Sequence, residues 1–138
     1  IFTTALPPPV LAASLEAFNV VRDEPWRRAA LLANADYLRN ALADLGFRVG
    51  QSTTQIIPLG IGDASLATET SRLLHERGVF VRAIRPPSVP PGTSRLRVTP
   101  MATHSRSDLD AAVHAFAEVG KQLKLIQRSH SNICRAYS

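Results

Sequence analysis

Lysine is nearly missing from this chain: Lys121 and Lys124 are its only lysines, so almost all of its positive charge is arginine. Cysteine occurs once, at Cys134, which excludes an internal disulfide and fits a reducing cytoplasm. That cysteine sits in a polar stretch with no partner placed to activate it and is read as inert. No apolar run approaches the length that spans a membrane. Ile1-Phe2-Thr3 has neither the basic start nor the apolar stretch of a signal peptide. The chain also begins without Met, in mid-pattern, as a fragment would. Histidines 75, 104, 114 and 130 show no ligand spacing to one another or to Cys134, so no metal site is expected.

What is present amounts to one domain's worth of chain, 138 residues with an ordinary apolar share. The net charge of +5 leaves three readings: a solubilising surface, an anionic small ligand, or nucleic acid. The arginines are scattered over all elements and form no block, which speaks against nucleic acid.

The most informative stretch runs from Ile84 to Arg97, IRPPSVPPGTSRLR. Prolines at 86, 87, 90 and 91 preset φ, so the loop loses little entropy on ordering, and Gly92 supplies a freely turning position. In Arg95-Leu96-Arg97-Val98-Thr99, period two puts Leu96 and Val98 on a core face and Arg95, Arg97 and Thr99 on the other. A rigid loop carrying the Ser88 hydroxyl beside a cationic strand face suits an anionic ligand such as a carboxylate. The plainer alternative is a hairpin with solvated arginines, in which Arg95 simply pairs with a neighbouring acid.

Along the chain, the pattern predicts a helix from about Pro8 to Arg22, opened by prolines whose missing N–H groups cost nothing there. Asp23 is the expected N-cap of a second helix, with Pro25 in its first turn and an apolar stripe of Leu31, Ala35, Leu38, Leu42 and Leu45 ending at Gly46. Phe47 to Val49 reads as a short strand and Gln55 to Ile61 as a central one despite Pro58. Asp63 caps a third helix that stops at Gly78. Val79 to Arg85 and Arg95 to Thr99 read as antiparallel partners. Ser105-Arg106-Ser107-Asp108 has the capping-box pattern ahead of a last helix with Leu109, Val113, Phe116, Val119, Leu123 and Ile126. His104, just before that cap, is expected to make a structural hydrogen bond. The sum is an α+β unit, a small antiparallel sheet with helices on one face and Arg95 and Arg97 on the other. Residues 1–45 form an interface segment with linking helices, 46–126 the α+β domain, and 127–138 an expected disordered tail.

Thr3-Thr4 before a helix N-terminus offers two hydroxyls at a positive helix end, which serves either as a plain cap or as a phosphate site.

The stretch from Ala83 to His104, AIRPPSVPPGTSRLRVTPMATH, resembles the C-terminal signature of the α-oxoamine synthases. Phe2 to Pro8 is similar to a second signature of that family, and Gln55-Ile56-Ile57-Pro58 with Gly62-Asp63 to a third. Order and spacing match the family's C-terminal third from Ile1 to about Ile126. The resemblance implies the small domain of the aspartate-aminotransferase-like (fold type I) pyridoxal-phosphate fold. It also implies a homodimer with active sites between subunits, and decarboxylative condensation of an amino acid with an acyl-CoA. Thr3 and Thr4 match hydroxyls that reach the pyridoxal 5'-phosphate phosphate of the other subunit. Arg97 matches the residue that grips the amino-acid carboxylate. Ser88 stands where the family usually has a substrate-contacting Thr, and Arg85 matches a position near the acyl side. The Schiff-base lysine lies N-terminal to the Thr-Thr motif in that family, so it is expected outside this chain, and the chain alone is expected to be inactive. Neither Lys121 nor Lys124 falls in a matching motif.

Within the family, Ala83 to Pro87 is most similar to the branch that uses L-alanine and pimeloyl-CoA in biotin synthesis. Val98-Thr99-Pro100 has some likeness to the branch that makes 5-aminolevulinate, and Val119-Gly120 with Leu125-Ile126 to the one that makes 2-amino-3-ketobutyrate. A different class also fits the element order, a stand-alone ferredoxin-like binding module for a small anion or RNA. An RNA-binding sheet should show paired aromatics on its open strands, and this sequence places arginines there.

Overall fold

Sixteen residues opened by two prolines, with Pro7 as their N-cap, make the first helix, α1 (Pro8–Asp23), in a computed structural model that describes residues 5–126. Thr3, Thr4 and the 127–138 segment read as a tail lie outside the described residues. No residue of α1 is buried, and Leu11, Leu15, Phe18 and Val21 stand exposed along it. The second helix, α2 (Trp26–Asp44), buries Ala35, Leu38 and Leu42 as its stripe predicts.

Its start differs from expectation. Pro25 is the N-cap, with no side-chain bond, and Asp23 ends α1 in an ion pair with Arg22. The reason is local: a guanidinium one residue away satisfies the Asp23 carboxylate, and Arg27 and Arg28 donate their amides to the Glu24 and Pro25 carbonyls.

Strand β1 (Arg48–Val49) pairs antiparallel with β2 (Ile57–Gly62), whose Ile57, Leu59 and Ile61 point to the core. Helix α3 (Ala64–Glu76) is capped by the Asp63 carboxylate, which accepts from the Leu66 amide at 2.7 Å. Strand β3 (Arg82–Ile84) follows, and β4 (Ser94–Val98) lies between β2 and β3, antiparallel to both, giving the order β1-β2-β4-β3. β2 and β3 are therefore parallel and joined through α3, with β4 inserted between them. The expected strand from Val79 is shortened to three residues: Val79 and Val81 instead pack against the core as α3 turns out at Gly78, where φ is +80°. The expected strands at 55 and 95 begin two residues later and one earlier.

Helix α4 (Arg106–Gln122) closes the helical layer and contributes Leu109, Phe116 and Val119 to the core. Its expected Leu123 serves as C-cap, and Ile126 lies beyond the helix while still packing on the core. The capping box is complete: Ser105 Oγ accepts the Asp108 amide at 3.2 Å, and Asp108 Oδ2 accepts the Ser105 amide at 2.8 Å. His104 Nδ1 accepts the Met101 amide at 3.2 Å, a structural role.

The Ser105 hydroxyl first, and its amide second, hold the Asp108 carboxyl below the usual aspartate range. A depressed folded-state pKa contributes stability that is present above the unfolded value and lost as pH falls through the folded one. Acid should therefore weaken the protein progressively below about pH 4. Asp108→Asn should flatten this acid limb in a series of thermal melts against pH. An unchanged acid limb would show that the cap carboxylate contributes nothing to it.

Candidate functional site

The face of the sheet opposite the helices is where period two and register bring charges together. Gly60 pairs with Arg48 on one side and Arg95 on the other, and Arg95 in turn faces Ile84. Arg97 faces Pro58 on β2 and Arg82 on β3. Directly opposed residues share a face, so Arg48, Arg82, Arg95 and Arg97 all stand on the open side. Leu59, Leu96 and Val98 take the other side and are buried.

Among the described residues none of these four arginines has a carboxylate partner, and Arg85 has none either. The alternative in which Arg95 pairs with a neighbouring acid finds no such acid among the described residues: its Nε donates to the Thr93 carbonyl at 3.2 Å. The strands of the sheet carry no Asp or Glu, so no acid shares the face. The like-charged pair Arg82 and Arg97 sits directly cross-strand, an arrangement that costs stability unless an anion offsets it.

The connection from β3 to β4 is two tight turns. The Ser88 amide donates to the Arg85 carbonyl at 3.0 Å, and the Thr93 amide and hydroxyl both reach the Pro90 carbonyl, at 3.2 and 2.8 Å. The Pro86–Pro87 peptide is cis, and Gly92 has φ +78°. Ser88 and Arg85 are exposed on this loop, and Arg97 lies on the adjoining strand. Arg85, Ser88 and Arg97 therefore belong to one hairpin.

Arg48 and Arg82 were not singled out from sequence. Arg82 shares the two-residue period of the β3 pattern, but Arg48 reaches the face only through the pairing of β1 with β2, which periodicity within one strand does not reveal.

A cavity of about 710 Å³ lies on the helical side between α4 and residues 77–81. Its walls are mostly apolar; of the polar residues that line it, His104 and Asp108 are engaged in the hydrogen bonds around the α4 cap and Arg77 in an ion pair with Glu118. The four arginines without a carboxylate partner among the described residues lie on the open face instead. Among the described residues no group of His, Cys, Asp and Glu is arranged to hold a metal ion. No helix among them is long and apolar enough to cross a membrane.

A small antiparallel sheet with helices on one face is the small-domain architecture of the fold type I pyridoxal-phosphate enzymes. The chain belongs to the aminotransferase class I and II family, whose family model matches residues 1–116. It is 47% identical over 125 residues to 8-amino-7-oxononanoate synthase of Geotalea daltonii, which covers 89% of this chain and 32% of that protein. It is 45% identical over 126 residues to the enzyme of the same name from Thermoanaerobacter pseudethanolicus, covering 91% and 32%. The serine palmitoyltransferase of Sphingomonas wittichii superposes with a TM-score of 0.87 at 29% identity, over 92% of this chain and 32% of that one. These relatives bear out the resemblance to the α-oxoamine synthases. The chain spans about a third of the length of the curated relatives it matches.

Proposed function

We propose that this chain is the substrate-side part of an 8-amino-7-oxononanoate synthase, a pyridoxal-phosphate-dependent C-acyltransferase of biotin synthesis. The reaction condenses L-alanine with pimeloyl-CoA and releases CO2 and CoA. The observation that carries the reading is the open sheet face, where Arg97 stands without a carboxylate beside a proline-fixed loop in a chain whose relatives bear that name. The stand-alone RNA-binding alternative loses its support on the same face, which offers Pro58, Gly60 and Ile84 between the arginines and no aromatic to stack on.

Pyridoxal phosphate, when bound, supplies the electron sink for chemistry at the amino-acid α-carbon. The described residues do not fit its covalent attachment, because Lys121 lies in the last turn of α4 and Lys124 just past its C-cap, in the helical layer away from the arginine face. What the chain contributes is binding and orientation. Arg97 holds the amino-acid carboxylate through two parallel hydrogen bonds. Ser88 offers a hydroxyl from the loop, and Arg85 a cation toward the acyl side. Residues 1–45 act as the interface segment: the exposed apolar stripe of α1 is covered by the partner subunit of a homodimer. Residues 46–126 act as the small domain.

The test is condensation by the full-length enzyme. Incubation with L-alanine and pimeloyl-CoA should release CoA thiol and form the amino-oxo acid, while the 138-residue chain with added cofactor should do neither. A full-length enzyme that accepts glycine and refuses L-alanine would overturn the substrate assignment.

Thr3 and Thr4 are proposed to bind the cofactor phosphate across the dimer interface. Each hydrogen bond lost to a charged group costs about 1.5–3 kcal/mol. Replacing both by Val in the full-length enzyme should therefore speed cofactor loss on dialysis, with little change in the melting temperature. Cofactor held as tightly as in wild type would reduce the pair to a helix cap.

A further inference from the structure

We infer that the cavity between Arg48 and Arg95 is a second anion subsite, which takes an oxyanion carried by the acyl donor. This rests on the acyl transfer proposed above and names the part of the donor that the chain recognises.

The cavity holds about 410 Å³, within the usual range of ligand sites, and is lined by Arg48, Gly60, Gly62, Gly92, Thr93 and Arg95. Gly60 lies directly between the two arginines in the pairing register, so no side chain fills the space between them. A Cβ on Gly60 would come 3.6 Å from the Arg48 Cβ and 4.0 Å from its Nε. Glycine inside a strand is the usual mark of a place where another group approaches the backbone closely. Gly62 has φ +92°, and a Cβ there would stand 3.6 Å from Arg48 Nη2 and 3.5 Å from the Gly92 carbonyl. The end of the proline loop thus closes one side of the cavity.

Both guanidiniums are tethered. Arg48 Nη2 donates to the Ile61 carbonyl at 3.1 Å and Arg95 Nε to the Thr93 carbonyl at 3.2 Å. Each keeps further N–H groups free, and neither has an acid among the described residues.

Arg97 does not line this cavity, so the two anion sites are separate. The amino acid offers one carboxylate. The acyl donor offers two kinds of oxyanion, the phosphates of its carrier and the terminal carboxylate of a dicarboxylic chain, and both suit a pair of guanidiniums.

Two measurements test it. Inorganic pyrophosphate and glutarate are titrated into the 138-residue chain, following the Nε–Hε resonances of Arg48 and Arg95 by NMR. Saturable shifts are expected at both residues and at the backbone amides of Gly60 and Gly62, which line the same cavity; the binding read at those amides weakens at least about tenfold in a chain carrying Arg48→Ala and Arg95→Ala. Should that pair unfold by circular dichroism, Arg48→Lys with Arg95→Lys takes its place, since lysine keeps the charge and lacks the fork. In the full-length enzyme, Arg95→Ala should raise the KM for pimeloyl-CoA about tenfold and leave the amino-acid KM unchanged. If the ligand is phosphate, the penalty disappears with the pimeloyl thioester of N-acetylcysteamine; if it is the acyl carboxylate, it disappears with heptanoyl-CoA. An active enzyme whose Arg95 variant shows no penalty with any donor overturns the subsite and leaves the reaction standing. An enzyme that condenses none of these substrates overturns the reaction, and the titration then decides the subsite by itself: no saturable shift at Arg48 and Arg95 overturns it.

Discussion

Arg97→Ala in the full-length enzyme raises the KM for the amino acid by at least about tenfold and leaves that for the acyl donor nearly unchanged. The residue stands on the open face of β4, opposite Pro58 and Arg82, with no carboxylate partner among the described residues. Its strand neighbours Leu96 and Val98 are buried at 0% and 5% exposure, which fixes the direction in which Arg97 projects. A guanidinium meets a carboxylate with two parallel hydrogen bonds, and removing one partner of a desolvated pair costs about 2–5 kcal/mol. That corresponds to roughly 30-fold to several-thousand-fold in affinity. The lower bound of tenfold allows for solvent that an exposed strand face admits. Arg97→Lys should recover only part of the loss, because a point charge does not reproduce the fork. Arg95→Ala should leave the amino-acid KM alone. Titrating L-alanine at saturating acyl donor against the three variants decides the matter. A larger amino-acid defect in Arg95→Ala than in Arg97→Ala would mean that the carboxylate sits one pleat away, over Gly60.

Which parts of this were legible from sequence follows from the range of the forces involved. The helices and their caps were readable because their determinants are local. Asp63 and the Ser105–Asp108 box act on amides within three residues. The amphipathic stripe of α2 repeats within one turn. Alternation in 94–98 likewise placed Arg95 and Arg97 together. The Asp23 cap failed for an equally local reason, since an adjacent arginine competes for the same carboxylate. The length of β3 failed because hydrophobic alternation does not distinguish a paired strand from an extended segment tucked against the core, as Val79 and Val81 are. What no single segment encodes is register. Arg48 is 47 positions before Arg95, and only the β1–β2 and β2–β4 pairings bring them to either side of Gly60. The charged face was thus half visible: β4 was read correctly, and its flanks were supplied by tertiary structure.

Phe116→Ala should destabilise the protein by about 3–5 kcal/mol, the usual cost of deleting a fully buried aromatic ring. Phe116 is 1% exposed and meets Phe47 edge to face, with ring centroids 5.9 Å apart and planes at 82°. The pairing adds about 0.5–1.5 kcal/mol beyond the area buried. One turn further along α4, Gly120 leaves room for the same ring: a Cβ there would lie 2.8 Å from Phe47 Cζ. The two positions together seat α4 over the start of β1, so the site collapses poorly when the ring is removed and a cavity remains. Denaturant melts should show the loss as a lower midpoint with an unchanged slope. Phe116→Leu, closer in volume, should cost much less, on the order of 1.5 kcal/mol. A loss below about 1 kcal/mol for Phe116→Ala would mean that α4 is not packed on the sheet in this way. The same variant separates fold from site. Phe116 belongs to the core cluster that holds Leu96 and Val98, the residues that aim Arg97. Under conditions where Phe116→Ala is still folded, its amino-acid KM should stay close to wild type, whereas Arg97→Ala loses binding while its melting midpoint barely moves.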